Sequence, residues 1–371
     1  MGRLTNPKMS SISVGLIVFL TSLFPAAAFA TGADLIPGSR YVSPRGAALG
    51  DAYIGLAEGP GESLFYNPAG LGRINGFVGE PLNIGLQGNS SLISGFGTDI
   101  YKFQSLDQYE SKLQGSPGAR PGTAYSVLPS FGFRGFGIGV LYQSRNMAES
   151  NGINLRYRTT TQLIPAAGFG LRLASGVLRI GYSLQYVSEV SVDKTVVHGT
   201  TPLGWTEGAA QGKGFSHTLG MALTLPYMYQ PTVNVVARNI AGTNLSGTPL
   251  VVSAKNPAGS IAADKMSVDG ALGFTTKVAA GWNLSTQFSY RDATNASGAS
   301  LMEHFAAGLE FTAMDHIFIR AGYGSNYPSA GVGISTSRAE VNLTWYSEDI
   351  GTSTASSRDI RYLFQFAFRA F

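Results

Sequence analysis

From Trp282 to Arg291 the side chains change character at almost every step. Trp282, Leu284, Phe288 and Tyr290 fall on one side of an extended chain, and Asn283, Ser285, Gln287 and Arg291 fall on the other. The same period sets Leu178, Ile180, Tyr182, Leu184 and Tyr186 against Arg179, Gly181, Ser183 and Gln185. It recurs with Ala339, Val341, Leu343 and Trp345 against Glu340, Asn342 and Thr344, and with Phe305, Ala307, Leu309 and Phe311 against His304, Gly308 and Glu310. A helix would scatter these residues around its circumference, so the pattern dictates strands with one apolar and one wettable face.

Two architectures use such strands: a soluble sandwich, whose greasy faces meet each other, and a membrane barrel, whose greasy face meets lipid. The N-terminus favours the second. Arg3 and Lys8 precede an apolar run from Val14 to Phe24, and Ala26, Ala27, Ala28, Phe29 and Ala30 follow, the order of a secretory signal cleaved after Ala30. Beyond Ala30 no apolar stretch approaches the roughly 20 residues of a spanning helix. Charged residues make up 13% of the chain, about half the usual share, so something other than water covers part of the surface. Aromatic residues at strand ends (Trp282, Tyr290, Tyr186, Trp345) suit an interfacial girdle, and the small polar face suits a wide lumen. The expected fold is therefore all-β: a transmembrane antiparallel β-barrel.

Segmentation yields about 14 strands, an even number as bacterial barrels require. Among them are 123–133, 136–146, 162–173 and 177–189. Every second connection is short, such as Arg134–Gly135 or Met314–Asp315, while most others are long; short turns belong on the periplasmic side. The chain ends in Tyr362, Phe364, Phe366, Phe368 and Phe371, which looks like the aromatic last strand that the barrel assembly machinery recognises. Phe371 is out of phase with the others, and Arg369 stands where an apolar residue is expected, which implies a bulge near Ala370 or a strand that shifts phase. The expected organisation is a signal peptide over 1–30, an N-terminal hatch or plug over 31–81, and the barrel over 82–371.

Several kinds of chemistry drop out. The chain has no cysteine, hence no disulfide, thiol nucleophile or cysteine-held metal. Removing Arg3 and Lys8 from 26 basic and 22 acidic residues leaves an excess of two, too little for nucleic acid. His198, His217, His304 and His316 show no metal spacing, and no cofactor motif is present. Ser216 and His217 are adjacent on a strand and so point to opposite sides, and no G-x-S-x-G elbow occurs; an enzyme is not expected.

About fifty residues separate the cleavage site from the first strand, too many to leave slack beneath a pore. Within them, Arg45 to Ile54 (with Gly46, Ala47, Ala48, Gly50 and Asp51) lead to Phe65, Tyr66, Asn67, Pro68, Ala69, Gly70 and Leu71. Asn67 can make a side-chain turn before Pro68, which fixes φ, and Gly70 allows close backbone approach, so this stretch is a rigid bend. The string resembles the N-terminal hatch signature of the FadL-type outer-membrane transporters and the related PorV-type barrels. Asn67 to Leu71 match it, whereas Ala48 and Asp51 replace two family glycines and Glu58-Gly59-Pro60-Gly61 replaces paired aspartates.

The FadL-type resemblance implies a monomeric barrel of the outer membrane, plugged by its N-terminus. It implies passive uptake of hydrophobic small molecules, long-chain fatty acids or aromatic hydrocarbons, released sideways into the bilayer. An amphiphile needs a cation for its head group, and Arg145, Arg179, Arg238, Arg291 and Arg320 all fall on the lumen phase of their strands. Arg238 and Arg291, nearer the outer end, are the better candidates, whereas Arg320 shares a face with Glu310 on the neighbouring strand. The PorV-type resemblance implies instead a shuttle or scaffold for exported proteins. An apolar internal pocket and a break in one strand wall favour transport, whereas ordered outer loops favour the shuttle.

Overall fold

A computed structural model of the chain describes residues 40–95, 106–199, 204, 206–250, 253–349 and 357–370. The signal peptide, the first part of the expected hatch and Phe371 lie outside the described residues. The strands, in chain order, are β1 (Val78–Glu80), β2 (Leu82–Asn89), β3 (Gly122–Val127), β4 (Ser130–Phe133), β5 (Phe136–Ser150), β6 (Asn154–Leu173), β7 (Leu178–Val197) and β8 (Ala210–Thr224). There follow β9 (Thr232–Arg238), β10 (Ser267–Ala279), β11 (Trp282–Tyr290), β12 (Phe305–Ala313), β13 (Ile317–Gly324), β14 (Tyr327–Ser335), β15 (Ala339–Asp349) and β16 (Arg358–Phe368).

All pairings are antiparallel neighbour to neighbour, β16 returns to pair with β2, and β5 pairs with β6, so the sheet closes on itself. Because β1 continues the line of β2, and β4 that of β3, the ring holds 14 strand positions. Closure satisfies every edge, which is what allows strands to cross lipid. Leu86, Ile138, Leu171, Leu309, Val332 and Leu343 stand exposed on the outside, while Ser183, Thr218, Gln287, Asn342 and Thr344 are buried inside. The two-residue alternation thus separates oil from lumen.

One strand position is interrupted. β2 pairs Ile84 with Val127, but β1 pairs Val78 with Gly132, so one extra residue enters across Pro81. Proline cannot donate to the ladder and is tolerated at such bulges. Beside it, Leu128–Pro129 separates β3 from β4 where the sequence implies one strand over 123–133. The Leu128 N–H still reaches the Asn83 carbonyl at 2.9 Å.

One expectation is corrected. The long connection implied over 147–161 shrinks to the turn 151–153, because β5 runs on to Ser150 and β6 begins at Asn154. β6 and β7 have 20 residues each, about twice what a bilayer requires, so their ends stand clear of it. There Leu155, Tyr157, Val190 and Val192 are buried against Leu92 of α3 (Ser90–Gly95) and Leu113 of α4 (Leu106–Gln114). At the C-terminus, β16 keeps one register with β15 from Arg358 to Phe368; the expected irregularity near Ala370 turns on Phe371, which lies outside the described residues. Arg369 follows the phase of β16 inward and pairs with Glu80 at 3.2 Å and with Glu340.

Candidate functional site

The protein core lies within the barrel. Leu49, Tyr53, Leu64, Phe65, Tyr66 and Leu71 of the N-terminal segment cluster with Leu128, Leu141, Ile164, Val187 and Val236 of the wall. Two short helices build the segment, α1 (Pro44–Ala48) and α2 (Pro60–Phe65), each with proline in its first turn, followed by a 3-10 turn, Pro68–Arg73. The Asn67 side chain caps the last of these, accepting from the Ala69 N–H at 3.1 Å and donating to the Ile54 carbonyl at 2.9 Å.

Wall side chains satisfy the helix ends. Thr344 donates to the Pro44 carbonyl, Ser329 to that of Ala48, and Ser183 and Gln185 to that of Leu64, at 2.8–3.1 Å. The backbone polar groups of a plug therefore find partners on the wettable strand face. Close approach depends on glycine at two kinds of place. Gly50 has φ +64°, and a Cβ there would lie 2.5 Å from the Tyr323 backbone. Gly181 and Gly220 face the Asn67–Pro68 bend so closely that a side chain at either would collide with it.

The signature arginine is tied down strongly. Arg45 sends Nε and NH2 to the two carboxylate oxygens of Glu310 at 2.7 and 2.6 Å. Glu310 also accepts from Arg320 Nε at 2.7 Å, and Arg320 NH1 reaches Asn342 at 2.7 Å. Arg238 donates to the Phe65 and Tyr66 carbonyls at 3.1 Å and pairs with Asp269 at 3.0 Å. Arg238 and Arg320 are thus occupied in fastening the N-terminal segment and the wall.

Arg145 and Arg291 instead line a cavity of about 390 Å³ between the N-terminal segment and the wall, on the long-loop side. Arg291 binds Asp51 at 2.8 Å and Ser325 at 2.7 Å. Arg145 is 4.0 Å from Glu348 and keeps 27% of its side chain exposed, the loosest arginine of the four. Sequence reading did not single out the other liners: Arg40, which pairs with Asp264, Glu348, and the tyrosines 41, 66, 327 and 346. Tyrosine in an outward girdle and tyrosine turned inward look alike without a register. The lining is aromatic and charged rather than aliphatic. A small extension shares Val42, Gln143 and Arg145 and reaches the wall at Gly85 of β2, Ser126 of β3 and Leu363 of β16.

Ser216 bonds to Asn239 while His217 turns away to Tyr182, at 2.7 and 2.6 Å. His198 lies between Ser150 at 2.8 Å and Glu110 at 3.2 Å, in the order of a hydrolase triad. Ser150 is only 4% exposed and its Oγ already accepts from the Gly152 N–H, so this chain pins α4 to the β5–β6 turn.

No protein-family model matches the sequence, and no curated protein does. Solved structures do. The CymD monoaromatic hydrocarbon channel is 11% identical, with 91% of this chain and 98% of that one covered and a TM-score of 0.53. The Pseudomonas putida toluene transporter TodX is 11% identical over 92% of this chain and 99% of its own, with a TM-score of 0.50. At that identity the likeness is one of architecture: the chain shares the barrel fold of these hydrocarbon channels, the fold that its FadL-type signature implied.

Proposed function

We propose that the protein is an outer-membrane channel for passive uptake of hydrophobic small molecules bearing a polar or anionic end, such as fatty acids or aromatic acids. The observation that carries this reading is the cavity lined by Arg145, Arg291 and four tyrosines. Tyrosine rings present apolar faces with polar tips, and the half-exposed Arg145 can meet a carboxylate. A wholly aliphatic cargo would call for an aliphatic slot. In this reading the described part of the hatch, 40–81, denies a straight water path, and cargo leaves sideways where the strand wall is interrupted at Pro81 and Leu128–Pro129. The named neighbours, a monoaromatic hydrocarbon channel and a toluene transporter, support the hydrophobic part of this cargo class; the polar end rests on the cavity lining alone.

A second reading has its own support. The packed layer of α3, α4 and the projecting ends of β6 and β7 gives an ordered outer surface, which suits a PorV-like shuttle. Uptake separates the two. A deletion strain should take up labelled oleate and toluene more slowly, and Arg145→Ala or Arg291→Ala should slow oleate while sparing toluene. Unchanged uptake across a broad hydrophobic panel sinks the channel reading.

A further inference from the structure

At the short-turn end of the barrel, two arginines face each other. Arg172 of β6 and Arg179 of β7 are direct cross-strand partners on the lumen face, flanking the turn Ala174–Gly176. Like charges set opposite each other destabilise a sheet unless something lies between them. Arg73, at the end of the 3-10 turn, comes from the N-terminal segment to the same spot. Together with Gly72 and Gly176 the three arginines line a cavity of about 170 Å³ that contains no acidic residue.

The partners do not neutralise this charge. Arg179 is 8% exposed, donates only to the Thr224 hydroxyl at 2.8 Å and the Gly176 carbonyl at 3.4 Å, and its buried Nε has no partner. Arg172 reaches the Ser175 carbonyl at 3.2 Å. Among the described residues no carboxylate pairs with either; Arg73 alone has one, Glu58 at 3.3 Å, which is 60% exposed. A buried guanidinium N–H without an acceptor is rare, and a bound anion is one of its ordinary causes. Guanidinium forks fit carboxylate and phosphate oxygens in pairs.

We propose that Arg179, Arg172 and Arg73 form a binding site for an oxyanion head group, carboxylate or phosphate, at the periplasmic mouth of the lumen. Arg179 supplies the buried Nε–H, and Arg172 and Arg73 close over the anion from the wall and from the N-terminal segment. A second cavity shares Arg73 and Arg179 and leads inward past Arg45, Asn234 and Gln287, so an anion here sits where the interior opens to the periplasm.

The site belongs to the isolated folded barrel and is tested apart from uptake by cells. The refolded full chain is titrated calorimetrically with inorganic phosphate and, separately, with octanoate, at low salt. At least one should bind, and Arg179→Gln or Arg172→Gln should weaken that binding tenfold or more, while exposed Arg338→Gln leaves it unchanged. Octanoate alone identifies a cargo carboxylate; phosphate alone identifies free phosphate or a lipid head group. Slower migration of the boiled sample in a gel establishes that each variant is folded, and Arg172→Gln, at the exposed rim, serves if Arg179→Gln does not refold. Wild-type protein that binds neither probe, or a folded variant with undiminished affinity, overturns the proposal.

Discussion

Arg45 and Glu310 lie 265 residues apart in the chain and meet inside the barrel through two hydrogen bonds of 2.7 and 2.6 Å. Arg320 approaches the same carboxylate from the next strand, so one acid holds two buried cations and joins the N-terminal segment to the wall. Removing it leaves buried Arg320 without its counter-charge and Arg45 with only the exposed Glu58 at 3.6 Å, a change that costs about 3–5 kcal/mol. Glu310→Ala should lower the urea midpoint of the refolded barrel and raise its conductance in planar bilayers as the segment loosens. Glu310→Gln, which keeps an acceptor, should do less. Wild-type conductance in Glu310→Ala would show that the fork does not hold the segment.

Gly181 touches the Pro68 carbonyl, whereas a Cβ at Gly270 on β10 meets open space. One methyl group therefore has opposite consequences at the two positions. Gly181→Ala should destabilise by about 1–3 kcal/mol through overpacking, and Gly270→Ala should be neutral or slightly stabilising, since alanine gives up less backbone freedom. Urea titrations of the two variants in matched vesicles check the contrast.

The barrel was legible because lipid enforces a strict period of two, so strands such as Trp282–Tyr290 announce themselves. The rule weakens where strands leave the bilayer: Leu155 and Tyr157 alternate with Arg156 and Arg158, but Arg158 and the threonines 159–161 form an unbroken polar run, and that region reads as a loop although it is sheet. Glycines on the lumen face read as room for a wide pore, yet Gly181 and Gly220 are seats for the Asn67–Pro68 bend. Arg320 could be matched to Glu310 because a short turn fixes their register. Asp269, the partner of Arg238, lies on the next strand but beyond a long connection that leaves the register open, and Asp51, the partner of Arg291, comes from the distant N-terminal segment, which periodicity does not encode.

Leu309 is 41% exposed on the outside of β12, next to the inward Glu310. If lipid covers that face, Leu309→Arg should cost about 2–4 kcal/mol, the penalty for a cation near the bilayer midplane. Leu250, which is 55% exposed in a loop on the opposite side from the short turns, should tolerate arginine within about 0.5 kcal/mol. Equal effects in vesicle unfolding experiments would remove the lipid assignment of the alternating face.

Asp292 begins the long connection between β11 and β12, outside the spanning strands. Burial alone would raise its pKa, but N–H groups of Ser297 and Ala296 and hydroxyls of Ser297 and Thr294 all donate to the carboxylate and bring the pKa below the ordinary aspartate value. A depressed carboxyl stabilises the folded loop above the ordinary aspartate range, and that stabilisation is lost as pH falls through the lowered value. Protonation removes the charge that four donors converge on, so the loop should loosen only in strong acid. In detergent-solubilised protein, the amide resonances of Ala296 and Ser297 should titrate together with a midpoint below that of an exposed aspartate, and Asp292→Asn should abolish the transition. A midpoint at or above the ordinary value would mean that desolvation outweighs the hydrogen bonds, and the loop would then gain stability as the pH is lowered.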